Sequence, residues 1–206
     1  MLTFNGKKAG VVMLVMAFAL VLTACMGNNG NGINDNGDET PWATYEHDDF
    51  VFNYPEAWHD FSEQDQAFDD IFISSEYIDI EEVENEIDTE EQLIEEYFEQ
   101  IITAFGNENT SEEEFDQWAE WTIEDMKDDF GVDEVDYKEQ IQIDGHPAYL
   151  VRHEGEIEGV DANPVGTTTL YIHDKDNTAY GLSYTGYHGT YDEALGDRII
   201  NSFQIK

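Results

Sequence analysis

Ser183 lies in Gly181-Leu182-Ser183-Tyr184-Thr185, one residue away from the pattern that holds a nucleophilic serine on a sharp strand-to-helix turn. Thr185 stands where that turn needs glycine, and the surrounding alternation places Ser183 inside a strand, so an ordinary strand serine is expected. Six histidines could ligate a metal: His47, His59, His146, His153, His173 and His188. None is two or four residues from another, the spacings that build a site from one element. His153 and His173 fall on neighbouring predicted strands, where they could meet across a sheet. Asp174-Lys175-Asp176-Asn177 begins like a calcium loop but lacks the sixth-position glycine and the twelfth-position glutamate, which leaves a turn. No catalytic residue and no metal site follow from these patterns. Trp42, Trp58, Trp118 and Trp121, with 11 Tyr and 12 Phe, supply large apolar anchors, and Trp58 is expected to pack inward. Trp121 falls one step off its apolar stripe between Glu120 and Glu124. It is therefore the first candidate for an exposed binding aromatic, with Trp42 the second.

Chemistry of another kind is written at the start of the chain. Lys7 and Lys8 precede an apolar run from Ala9 to Leu22, and no acid occurs before residue 25. The run is short for a spanning helix and is built like a processing signal. Leu22-Thr23-Ala24-Cys25 resembles the bacterial lipobox. That resemblance implies acylation of the Cys25 thiol, cleavage before it, and a signal peptide of residues 1–24. Cys25 is the single cysteine, which excludes a disulfide framework. Residues 25–44 then read as a Gly/Asn/Asp-rich tether, with the folded part, nominally 45–206, opening near Trp42.

The 206 residues carry 48 Asp+Glu against 8 Lys+Arg, a net charge of −40. A phosphate backbone would be repelled, so nucleic acid is excluded as a partner. A 40% hydrophobic and 13% aromatic content is enough to close a core. Spread over a folded surface of about 8,000 Å², the acids average about 13 Å apart, beyond the screening length of about 8 Å at physiological salt. Such composition resembles that of extracellular proteins from salt- or alkali-adapted bacteria. The densest acidic stretch, Glu81 to Glu99, reads as a solvated helix face, with weak, diffuse Ca²⁺ or Mg²⁺ binding on charge alone and no cofactor.

These residues need elements to position them. Phe50, Phe52 and Tyr54 alternate up to Pro55, and Phe68 to Ser74 is a second strand candidate. Thr89-Glu90-Glu91-Gln92 reads as a capping box opening a helix with stripe Leu93, Ile94, Tyr97, Phe98, Ile101, Ile102 and Phe105, stopped at Gly106. Ser111 to Glu114 opens another helix, with Phe115, Trp118, Ala119, Thr122, Met126 and Phe130 inward and Gly131 as its stop. Tyr137–Ile143, a turn at Asp144-Gly145, Ala148–Glu154, Thr167–His173 and Thr178–Tyr184 predict an antiparallel meander, with a short closing helix within Tyr191–Ser202. The reading is one α+β domain, an antiparallel sheet covered by helices.

Phe50-Val51-Phe52-Asn53-Tyr54-Pro55 followed by Trp58 resembles the opening strand of the PsbP-like family. Ile199-Ile200-Asn201-Ser202-Phe203-Gln204-Ile205 resembles its closing helix and strand, with Gly145-His146-Pro147-Ala148 and two strands in order between. The resemblance implies an α/β/α sandwich without shared catalytic residues. Plant members are extrinsic photosystem subunits that assist calcium and chloride retention; other relatives bind a nuclear-transport GTPase, and many bacterial members are lipoproteins. This chain departs in its acidic region 79–131 and lacks the basic surfaces with which plant subunits dock. A monomeric, non-catalytic accessory or binding lipoprotein on the outer face of the bacterial cytoplasmic membrane is therefore expected. It would be anchored through Cys25, with a protein or peptide partner and a contact surface between sheet and acidic helices. The alternatives are a Ca²⁺- or Mg²⁺-responsive acidic module and an unrecognised hydrolase.

Overall fold

The computed structural model describes residues 41–62, 71–79, 97–108, 110–131, 133–156, 164–174 and 176–206. Cys25, most of the tether, Phe68 to Asp70, the acidic run 81–96 with its Thr89 capping box, and the loop at Gly159 lie outside the described residues.

In chain order the described elements are β1 (Trp42–Glu46), β2 (Phe50–Pro55), β3 (His59–Asp60), β4 (Ile71–Ser74), β5 (Gln100–Glu108) and α1 (Glu112–Phe130). They continue with β6 (Tyr137–Ile143), β7 (His146–Gly155), β8 (Val165–His173), β9 (Thr178–Gly186), α2 (Glu193–Ile200) and β10 (Gln204–Ile205). Seven strands form one sheet in the order β3-β4-β5-β9-β8-β7-β6, and β1-β2-β10 form a small second sheet, antiparallel throughout. Residues 42–44, the end of the segment read as tether, are strand.

The meander β6 to β9 follows the predicted order. Asp144 (φ 52°) and Gly145 (φ 84°) both take the left-handed conformation, the geometry of a tight hairpin turn whose twist matches its strands. The helix expected through Phe105 is a correction: residues 100–108 form β5, paired along its whole length with β9. Ile101, Ile102, Ala104 and Phe105 fit helical spacing only because both faces of this strand are covered. Ile102 and Ala104 enter the main core, while Ile101 and Phe105 pack on the opposite side. A strand buried on both faces loses the period-two signature, and Gly106 is a strand residue rather than a stop. Opposite Phe105 stands Gly181, where a Cβ would come within 2.2 Å of the Phe105 ring. Glycine is what lets that ring lie flat on the neighbouring strand.

Helix α1 forms as its sequence dictates. The Glu114 carboxylate accepts from the Ser111 backbone N–H (3.1 Å) and hydroxyl (2.6 Å), and Gly131 closes the helix at φ 61°. At α2, Asp192 accepts from the N–H groups of Ala194 (2.9 Å) and Leu195 (3.1 Å).

Three layers result. One face of the large sheet, including Ala148, Leu170, Leu182 and Tyr184, packs on α2 and the small sheet through Phe50, Phe52, Ile199 and Phe203. The other face sets Tyr149, Val151, Tyr171 and Ala179 against Phe115, Ala119 and Ile123 of α1. Further along it, Phe72 and Ile101 join Phe61 and Phe98 in a separate apolar cluster.

Candidate functional site

Between those two clusters the sheet presents hydroxyls. Strand pairing fixes why: Thr167 is opposite Thr185, Thr169 opposite Ser183, and Ser183 opposite Thr103 on the next strand. Residues paired across strands share a face, so three strands contribute one polar patch. Thr169 and Ser183 are 2.9 Å apart, Thr167 and Ser183 3.1 Å, and Thr167 and Thr169 3.3 Å. Thr185 donates to Thr167 at 3.4 Å. Thr167 and Thr169 are buried, whereas Thr103, Ser183 and Thr185 are half-exposed.

Above this floor runs the C-terminal half of α1. Thr122, Asp125, Met126 and Phe130 form one wall of a cleft of about 360 Å³, with Phe105, Tyr171 and Tyr187 completing it. That volume lies at the small end of the range for small-molecule sites. Among the described residues, no lysine, arginine or histidine lines it. Ser183 is thus mid-strand, as expected, and its hydroxyl is shared with two threonines rather than with a base.

The histidines are dispersed. His153 pairs in register with Thr167, six positions from His173 on the adjacent strand, a separation of about 20 Å, so the two do not meet. His153 is buried edge-on to Phe130, and its Nδ1 lies 3.1 Å from the Asp136 carboxylate. His173 places Nε2 2.7 Å from the Thr110 carbonyl, and the His146 Nδ1 is 3.1 Å from the His173 carbonyl. His47 lies by Asp49, His59 against Tyr77, and His188 in the turn after β9. Among the described residues no three His, Cys, Asp or Glu side chains converge as a metal site. Asp174 closes its turn by accepting from the N–H groups of Asp176 and Thr178, both at 2.8 Å.

Trp121 is 62% exposed on α1, as its position predicts. Trp42 is half-buried against the opposite face of the sheet, its ring under the Arg198 guanidinium at 3.9 Å. Neither indole belongs to the cleft wall. Trp58 turns inward but only partly, its ring 6.3 Å from that of Tyr184. Of the cleft residues, sequence reasoning singled out Ser183 alone as a chemical group. Alternate-position hydroxyls on otherwise apolar strands, Thr167-x-Thr169 and Ser183-x-Thr185, were the available signal.

The tyrosines that frame the packing are held protonated. Burial, then the bond to Asp116 that Tyr149 donates (2.9 Å), pushes Tyr149 up to about 12. Burial does the same for Tyr171, with the Asp125 charge adding, and for Tyr180, with Asp174 adding. Burial also raises Tyr184 strongly. A raised pKa means that the fold favours the phenol. That stability is fully present below about pH 10 and is lost as pH rises through about 12. In a spectrophotometric titration these four tyrosines should therefore ionise only with the loss of the fold. All 11 Tyr ionising together near pH 10 in a still-folded protein would contradict this.

The comparisons with known proteins agree on the architecture. A family model described as PsbP-like protein matches residues 9–205. The solution structure of cyanobacterial PsbP from Synechocystis sp. PCC 6803 superimposes with a TM-score of 0.53 at 13% identity, covering 90% of this chain and 99% of that one. The Saccharomyces cerevisiae Ran-binding protein Mog1p gives a TM-score of 0.51 at 12% identity, covering 81% of this chain and 96% of that one. No curated protein matches. At such identities the two structures speak to the fold, an antiparallel sheet with helices packed on it. The match along residues 9–205 settles the kinship: the chain belongs to the PsbP-like family.

Proposed function

We propose that this protein is a non-catalytic binding protein, held at the outer face of the bacterial membrane by lipid on Cys25, with the α1–sheet cleft as its binding site. The observation that carries the reading is the hydroxyl floor. A sheet face covered by a helix is ordinarily closed by apolar side chains, and a polar patch left open at that position is suited to hydrogen-bonding a ligand. The serine on that floor has threonines for neighbours, an arrangement for recognition rather than acyl transfer. The family's accessory and binding members point the same way, as does Mog1p, whose description is Ran-binding.

Two experiments bear on the two halves of the proposal. Because Cys25 is the single cysteine, Ser183→Cys in a Cys25→Ser chain carries a unique thiol on the floor. It should react with a small maleimide at least about tenfold faster than the same thiol at Thr168, which is fully buried on the opposite face. Equal, slow rates would mean that the cleft is closed to small molecules. For the anchor, wild-type protein should partition into detergent, and Cys25→Ala should stay unprocessed or change its fractionation. Cleavage at the same bond with unchanged distribution would remove the lipid from the proposal.

A further inference from the structure

We infer that the cleft takes a small organic ammonium ion, its N–H groups donating to the hydroxyl floor and to Asp125. This rests on the reading of the cleft as the binding site and adds the chemical class of its ligand.

Each Ser or Thr hydroxyl brings one proton and two lone pairs. Thr167, Thr169 and Ser183 form a closed triangle of contacts, which uses one proton from each, and Thr185 spends its own on Thr167. Thr167 thereby accepts twice and is saturated. Thr169 and Ser183 each keep one lone pair and Thr185 keeps both. These four hydroxyls can accept hydrogen bonds but have no proton left to give.

The wall adds acceptors on α1 and the phenols of Tyr171 and Tyr187 on the sheet side. The Thr122 hydroxyl turns its proton back to the Ala119 and Trp118 carbonyls of its own helix, at 3.0 and 3.2 Å. The Asp125 carboxylate adds acceptor oxygens. Thr103, opposite Ser183, adds one hydroxyl that stands outside the triangle.

A saccharide or polyol offers its hydroxyls as donors and acceptors together, and the four counted floor hydroxyls would leave unpaired the acceptors that face them. An anion meets a carboxylate, no basic residue among the described residues of the lining and a chain of net charge −40. An ammonium group is all donor, three N–H bonds and no acceptor, and carries the charge this field favours. Phe105, Met126 and Phe130 beside the floor suit its alkyl part, with a ring available to the cation. A volume of about 360 Å³ admits a ligand of this size with its alkyl chain.

The test is calorimetric titration of the full chain carrying Cys25→Ser in about 0.5 M NaCl, where diffuse attraction to the acidic surface is screened. The probes are 1,4-diaminobutane, 1,4-butanediol and succinate. One saturable site is expected for the diamine, with the diol at least about tenfold weaker and no succinate binding. Asp125→Asn and Ser183→Ala should each weaken the diamine about tenfold, while Glu113→Gln, which removes an equal charge from the exposed face of α1, should leave it unchanged. Melting curves establish that each variant is folded, and either cleft variant alone suffices. Diol binding as tight as the diamine would overturn the ammonium assignment in favour of a polyol. Diamine binding that does not saturate, or that falls equally in Glu113→Gln, would reduce it to counterion attraction. No diamine binding with a fast-reacting thiol at position 183 would sink the ligand class and leave the cleft standing, whereas an unreactive thiol would sink both.

Discussion

Raising NaCl from about 0.01 to about 1 M should lift the unfolding midpoint by several degrees or more. The net charge of −40 creates a repulsion that the compact state feels more than the expanded one. The structure shows where part of it is concentrated. Glu112, Asp116, Glu120, Glu124 and Asp128 follow one another at four-residue spacing along α1. Like charges so placed cost about 0.2–0.5 kcal/mol per pair, and the ladder contains four such pairs in succession. Lys127 reaches Glu124 at 2.9 Å and Lys138 bonds Glu120, so two rungs are relieved by exposed pairs of small individual worth. Salt shortens the screening length below the spacing of the acids and relaxes the remainder. KCl should act like NaCl. A melting temperature indifferent to ionic strength would mean that the charges are compensated locally, and the salt-adaptation reading would fail.

Tyr184→Ala should cost about 3–5 kcal/mol, a large part of a domain's usual 5–15. Tyr184 is fully buried where β9, α2 and Trp58 converge, its ring 5.7 Å from that of Tyr191. Its hydroxyl oxygen accepts from Gln100 Nε2 (3.1 Å) and from the Asp192 backbone N–H (3.2 Å). At Gly196 a Cβ would come within 2.8 Å of the Tyr184 ring and within 3.0 Å of the Thr168 hydroxyl, the second a close approach that persists without the ring and leaves α2 little room to settle into the cavity. Truncation adds an unpaired N–H at the start of α2 to the void. Tyr184→Phe, which keeps the ring, should lose only about 1–2 kcal/mol. Trp58→Ala should fall between the two, since that ring is half-buried rather than enclosed. Urea unfolding in moderate salt measures all three, and a loss below about 1 kcal/mol for Tyr184→Ala would show that the core closes without this anchor.

Much of the fold is legible in the chain because local and long-range demands coincide. In β2 and β7 one face is buried and the other less so, and the alternation survives, while β8, buried at every position, is marked by its β-branched run between turns. At α1 the Ser111–Glu114 box and Gly131 mark both ends. Strand β5 was illegible for a physical reason: Ile101 and Ile102 are buried on opposite faces, and together with Phe98 and Phe105 they reproduce the spacing of an amphipathic helix. What decides the matter is the pairing with β9, including the vacancy at Gly181 that receives Phe105, and that is information from 76 positions away. The cleft was hidden similarly. Ser183 stood out in the sequence as a lone hydroxyl, but only the register Thr169↔Ser183 and Thr167↔Thr185 assembles the floor. The same register, which sets His153 beside Thr167, keeps it far from His173.

Mapping where small molecules settle on the protein bears most directly on the central claim, that the cleft is a binding site. Backbone amide shifts of the ¹⁵N-labelled chain would be followed against a fragment set containing cationic, neutral and anionic members. The largest saturable shifts should fall on Thr103, Thr167, Thr169, Ser183 and Thr185 and on Asp125 and Met126 across from them, and should disappear in Ser183→Phe while that variant stays folded. Shifts centred on Trp121 or Trp42, or unchanged by filling the cleft, would contradict the claim and move the binding surface to the exposed face of α1 or to the small sheet.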